Sequence, residues 1–179
     1  QQQLADSIRK YLANDYSFDK RKAVLNSPRG GSEPAWATFA EMGLMAIALP
    51  EAQGGFGGGA VDLMAAMEAC GEALVVEPLL DHIAAARLVA RTGSDAHCAA
   101  LLPGSIDGSL RLVFAGLEPG RRYELAPTGT RARAAGTGWV LDGEKCVVIG
   151  APSAQRLLVS ARTAGQPGDA QGVSLFVVD

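Results

Sequence analysis

The sequence predicts an all-α N-terminal domain followed by a β domain. Three observations carry that expectation. Up to about Leu102, apolar residues recur at helical spacing. Beyond Leu110 they fall into short, β-branched runs separated by Gly, Pro and Asp. Between Pro103 and Ser109 neither pattern holds. We therefore expect a helical domain over residues 1–105 and an antiparallel β-barrel or sandwich-like domain, incomplete, over 106–179.

The first helix shows as the stripe Leu4, Ile8, Tyr11 and Leu12, and "QQQLADSIRKYL" reads as mid-helix, which implies an earlier native start. Lys20-Arg21-Lys22 reads as a solvated helix face. Ser32 is placed to cap a helix with Pro34 in its first turn and Trp36, Phe39 and Ala40 on its buried face. Leu63, Met67, Cys70 and Leu74 mark the next helix. Pro78 opens another, carrying Leu80, Ile83, Ala84 and Leu88 and closed by Gly93. Ser94 caps a last short helix, which Pro103-Gly104 should end. In the second half, "LRLVFAGL", "TRARAAG", "GWVLDGEKCVVIG", "QRLLVSART" and "GVSLFVVD" read as strands, with Asp142-Gly143 the strongest hairpin signal.

Composition narrows the function classes. With 179 residues, 48% of them apolar, the chain is long enough to bury a core without disulfides. A net charge of -3, without a continuous basic stripe, argues against nucleic acid. No apolar run suits a membrane span and no basic leader appears, so a cytoplasmic protein is expected. Cys70, Cys98 and Cys146 lie too far apart for a zinc site and read as reduced thiols. His82 and His97 have no third ligand spaced near them, so no metal is expected. Glu68 and Glu72, four apart, read as a solvated helix face, and no G-x-S-x-G elbow offers a nucleophile.

Gly55-Phe56-Gly57-Gly58-Gly59-Ala60 matches the G-x-G-x-x-G/A dinucleotide fingerprint. Its context does not: Pro50 to Gln53 intervene before the first glycine, and helix rather than a βαβ unit follows. We read the glycines as a connector between helices, used for backbone freedom.

"WATFAEMGLMAIALPEAQGGFGGG" resembles the N-terminal domain signature of acyl-CoA dehydrogenases, and "LMAAMEACGEALVVEPLL" is similar to that family's next helix and Glu-Pro junction. "GTGWVLDGEKCVVIGAPSAQRLLVSART" is similar to the G-x-x-L-x-G-x-K segment of its middle β-domain. The resemblance covers nearly the whole chain. It implies FAD as cofactor, an acyl-CoA substrate dehydrogenated to the 2-enoyl thioester, and an electron-transferring flavoprotein as oxidant. It also implies homo- or hetero-oligomers, and a C-terminal helical domain, absent from these residues, that supplies the catalytic Glu. No catalytic residue is therefore expected in this chain.

The same resemblance maps the family's T-E-P-x-x-G-S-D run onto Leu117 to Glu124, and its K-x-W-I-T-N run onto Lys145 onward. That implies cofactor contacts at Leu117, Val147, Val148 and Ile149, and substrate contacts at Gly120, Arg122 and Tyr123. Glu118, Pro119, Gly120 and Lys145 are retained. Leu117 loses a hydroxyl, Arg122-Tyr123 replace Gly-Ser, and Val147, Val148 and Ile149 stand for Trp-Ile-Thr. Side-chain recognition of FAD is thereby weakened, which leaves open a flavin-deficient, non-catalytic partner in a hetero-oligomer. Arg121-Arg122 either meets an anion, such as a CoA phosphate or flavin pyrophosphate, or is neutralised by Glu118 and Glu124. The altered motifs are compatible with bulky acyl groups such as steroid side chains.

Overall fold

The computed structural model describes residues 2–28, 30–121, 124 and 129–179. Its helices are α1 (Gln2–Asp15), α2 (Phe18–Leu25), α3 (Glu33–Glu41), α4 (Ala60–Glu72), α5 (Leu79–Thr92) and α6 (Asp95–Ile106). Strands follow: β1 (Leu112–Ala115), β2 (Arg131–Ala135), β3 (Gly138–Asp142), β4 (Arg156–Arg162) and β5 (Val173–Val178). No described helix is long and apolar enough to cross a membrane.

Several helix starts are capped by side chains. Ser32 Oγ accepts from Ala35 N–H at 3.2 Å and Ser94 Oγ from His97 N–H at 3.3 Å. Asp62 reaches back to accept from Gly59 N–H at 2.7 Å, which starts α4 directly after the glycines. The buried face of α4 is Ala66, Ala69 and Cys70, so the core stripe lies rotated from the expected one, and Leu74 is left exposed at φ 53. On α5 the core faces are Leu79, Ile83, Ala85, Ala86 and Val89, whereas Leu80 is exposed. Helix α6 runs through Pro103 instead of ending there. Ser105 Oγ donates to Leu101 C=O at 2.7 Å, and Leu101, Leu102 and Ser105 are all buried, so packing outweighs the missing proline N–H. The basic run of α2 lies at the surface, since no residue of that helix is buried, but Arg21 Nε donates to Leu74 C=O at 2.7 Å.

Two clusters make the core. Ile8, Leu12, Trp36, Phe39, Leu44 and Met45 fill the space between α1, α3 and α4. Leu49, Ala85, Ala86, Val89, Leu101 and Leu102 pack with Leu112 and Leu158, which welds α5 and α6 to the sheet. Full burial of a Leu or Phe side chain contributes about 1.5–3 kcal/mol.

The sheet is mixed. Strand β4 runs parallel to β1 and meets β2 in parallel at Arg131↔Arg162, while β2–β3 and β4–β5 are antiparallel. It does not close into a barrel among the described residues. The parallel pairing follows from the long excursion between β1 and β4, which lets the chain return in the same direction. The hairpin turn falls at Gly136-Thr137, joining β2 to β3, rather than at Asp142-Gly143. Gly143 ends β3 at φ 144, and a Cβ there would sit 2.5 Å from Thr130 Cα, so the chain leaves the sheet at this point.

The glycine connector spends its amides on the chain itself. Gly57 N–H donates to Leu49 C=O and Gly58 N–H to Ile47 C=O, both at 2.8 Å. A Cβ on Gly55 would collide with the Leu49 carbonyl. These amides cannot cradle a phosphate.

Candidate functional site

Two loops leave the sheet side by side: 116–121 after β1 and 143–150 after β3. Leu117 C=O accepts from Cys146 N–H at 2.9 Å, which joins them. A buried ion pair reinforces the joint. Lys145 Nζ donates to Glu118 Oε1 at 2.9 Å, and the two side chains are 8% and 6% exposed. Glu118 also accepts from Gly129 N–H at 2.8 Å and Thr130 N–H at 2.9 Å, so one carboxylate ties the loop after β1 to the start of β2. Lys145 further donates to Ser160 Oγ of β4 at 3.3 Å. A buried pair is tolerated only with such added partners, and here both ends have them.

The pair fixes the start of the segment that carries Val147, Val148 and Ile149. Val147 adopts φ 52 and is 73% exposed; a β-branched residue at positive φ is strained. Ile149 is exposed as well. Among the described residues no acceptor takes the N–H groups of Val147, Val148 or Ile149. Consecutive unengaged donors beside a left-handed residue are of the kind that can receive acceptor atoms. Gly150, at φ 82, anchors the far end: a Cβ there would lie 2.7 Å from Pro78 Cβ, so only glycine lets this loop seat on the start of α5. A small cleft of about 210 Å³ opens at that seat, lined by Ser32, Glu77, Pro78, Arg111 and Ile149 among others.

The helical side of the cleft is held by several hydrogen bonds. Tyr16 donates to Glu77 Oε2 at 2.7 Å, and Glu77 Oε1 accepts from Ser32 N–H at 2.8 Å. Arg111 grips Glu33 through two bonds of 3.0 and 2.6 Å and stacks 4.4 Å above the Trp36 ring. His82, wholly buried on α5, accepts from Leu112 N–H of β1 at Nδ1 (3.1 Å) and donates from Nε2 to Ser105 C=O (3.0 Å).

The structure therefore brings Leu117 together with Val147 to Ile149. Gly120, exposed at φ 72, sits on the turn that Arg121 N–H closes onto Glu118 C=O at 3.1 Å. Arg122 and Tyr123 lie outside the described residues. Arg121 pairs with Glu124 at 3.2 Å, while Glu118 is turned inward to Lys145. The Glu118–Lys145 clasp and the Gly150–Pro78 seat were not singled out from sequence as site-forming. The only signal was the retention of Glu118 and Lys145 in otherwise altered motifs. Glu72 is held by Arg9 through bonds of 2.9 and 3.1 Å across α1 and α4, consistent with a surface role for the Glu68/Glu72 face.

Comparison with known proteins agrees with this geometry. Residues 1–109 match the family model "Acyl-CoA dehydrogenase, N-terminal domain". The chain is 31% identical to acyl-CoA dehydrogenase FadE12 of Mycobacterium tuberculosis, over 99% of this chain and 46% of that protein. It is 30% identical to (2S)-methylsuccinyl-CoA dehydrogenase of Cereibacter sphaeroides over 79% of this chain and 26% of the relative. A variant of the Tcur3481-Tcur3483 steroid ACAD superposes with a TM-score of 0.86 at 35% identity, covering 99% of this chain and 47% of that one. The chain thus spans about half the length of the curated relative FadE12. With the family model matching well over half of its residues, the chain belongs to the acyl-CoA dehydrogenase family of oxidoreductases.

Proposed function

We propose that this chain is part of a flavin-dependent acyl-CoA dehydrogenase subunit, acting in the α,β-dehydrogenation of an acyl-CoA thioester. The observation that carries the reading is the run of free amides at Val147, Val148 and Ile149 on a loop clasped by Glu118 and Lys145. A flavin ring presents nitrogen and carbonyl acceptors along one edge and an apolar face. The free N–H groups suit the edge, and the exposed Val147 and Ile149 side chains suit the face, so the residues present fit the group. In this reading Leu117, Val147, Val148 and Ile149 hold FAD, which when bound accepts the substrate's β-hydride. Gly120, Arg122 and Tyr123 line the thioester side. The base that removes the α-proton is supplied from outside these 179 residues. An electron-transferring flavoprotein would re-oxidise the flavin, in a cytoplasmic oligomer. Residues 1–105 and 106–179 are assigned as its helical and β domains.

A second reading has its own support. Leu117 offers no hydroxyl, and no aromatic side chain stands at Val147 to Ile149, so the side-chain half of flavin recognition is missing. The similar steroid ACAD carries two component names, which favours pairing with a homologous subunit and a bulky acyl substrate. On that view this chain is the flavin-poor member of a hetero-oligomer. The test is to purify the intact protein alone and with a co-encoded homologue, then record flavin absorbance and acyl-CoA dehydrogenation. FAD in the lone protein overturns the partner reading. Absence of both flavin and turnover, even with the homologue, overturns the enzyme reading.

A further inference from the structure

Strands β2, β3 and β4 meet at a cleft of about 290 Å³ lined by Arg131, Arg133, Val140, Asp142, Arg162, Thr163 and Gly165, with Ala132 and Ala164. Its chemistry is unusual for a sheet surface. Arg131 stands in register with Arg162 of β4 and with Asp142 of β3, so the three side chains share one face; Arg133 is two residues along on the same face. Like charges directly opposite one another on neighbouring strands destabilise a sheet. Yet Arg131 and Arg133 are exposed, and neither guanidinium has a hydrogen-bond or ion-pair partner among the described residues. Asp142, though opposite Arg131, forms no ion pair with it.

The third arginine is fixed. Arg162 is 2% exposed and donates to the carbonyls of Ala164 (3.2 Å), Gln171 (2.9 Å) and Asp169 (2.7 Å). It thereby shapes the 163–172 loop over the cleft. Asp169 turns its carboxylate to the Gln166 N–H at 2.8 Å, behind Gly165. Gly165 takes φ 75, and its own N–H has no acceptor among the described residues. Two arginines without a partner among the described residues, a glycine whose amide is likewise unengaged and a buried cation thus line one small cavity. Planar forks of this kind match the oxygens of a phosphate.

We propose that the Arg131–Arg133 cleft binds the phosphomonoester of a nucleotide ligand. Within the acyl-CoA dehydrogenase reading, on which the ligand's identity rests, that group is the terminal phosphate of coenzyme A. The site is separate from Arg121, which is occupied by Glu124.

Binding of coenzyme A, dephospho-coenzyme A, FAD and inorganic phosphate to the intact protein is measured by calorimetry. The variants are Arg131→Gln/Arg133→Gln and the control Arg156→Gln, whose side chain pairs with Asp179 outside the cleft. Coenzyme A is expected to bind about tenfold or more tighter than dephospho-coenzyme A, a preference the double variant loses and the control keeps. Equal preference in wild type and double variant overturns the proposal, as does a loss confined to FAD or equal binding of the two coenzymes by wild type. If wild type binds neither coenzyme but inorganic phosphate binding depends on the two arginines, the cleft stands and the acyl-CoA reading falls. If nothing binds, the cleft is not a phosphate site.

Discussion

The imidazole of His82 and the main chain of Leu112 are locked together: Leu112 N–H donates to Nδ1 at 3.1 Å while Nε2 holds Ser105 C=O at 3.0 Å. One side chain on α5 thus pins both the end of α6 and the first strand of the sheet. Only a neutral ring can accept at Nδ1.

This makes the fold acid-sensitive. Burial, reinforced by the nearby Arg111 charge, holds the His82 pKa below its ordinary value of 6.5. The unfolded chain takes up a proton below that value and the folded chain does not, so stability is full above it and declines as pH falls toward the folded pKa. Denaturation midpoints measured from about pH 7 to about pH 5.5 should fall, and His82→Gln should flatten the slope. His82→Ala should cost roughly 2–4 kcal/mol at neutral pH, by leaving two buried backbone groups unpaired and opening a cavity. An unchanged slope in the Gln variant would remove His82 as the cause.

Breaking the Glu118–Lys145 clasp from one side should be worse than removing it. Lys145→Met strands a buried carboxylate and is expected to destabilise by roughly 3–5 kcal/mol. Glu118→Gln/Lys145→Met, with no charge left to bury, should recover much of that loss. A urea titration of the three proteins reads the difference directly.

Val147 offers the opposite effect. Replacing it with Gly removes a left-handed strain of roughly 1–2 kcal/mol, partly offset by glycine's greater freedom when unfolded. A net gain of about 0.5–1 kcal/mol is expected in thermal unfolding. A loss would mean that the Val147 side chain contributes packing its 73% exposure does not suggest.

Cys70 should be chemically quiet. Burial, with the Glu77 charge adding to it, pushes its thiol up to about 11. Alkylation of the native protein at about pH 8 should leave Cys70 unmodified until denaturant is added, as peptide mapping would show.

Much of this was legible in the sequence, because the helix and strand periods differ and the chain changes from one to the other. What went astray did so for tertiary reasons. Asp142-Gly143 has good turn chemistry, but Lys145 is drawn inward to Glu118, so the residues after it never form a strand. Pro103 is a strong local stop, yet the buried Leu101, Leu102 and Ser105 carry α6 past it. Family-like motifs pointed to the Leu117 and Val147–Ile149 segments as candidates, but not to the ion pair that ties their loops together, since a carboxylate and an amine 27 residues apart carry no spacing signal. The Arg131–Arg133 cleft was equally hidden: it needs the parallel step that sets Arg162 beside Arg131.

The outer strand of the sheet has a practical meaning for anyone handling these residues. Among the described residues, strand β5 pairs only with β4, carries no charge or proline between Val173 and Val178, and exposes Leu175 and Val177. Such an edge is a template for another strand. Left uncovered in a concentrated preparation, it should recruit copies of itself, and loss of material to aggregates would begin there.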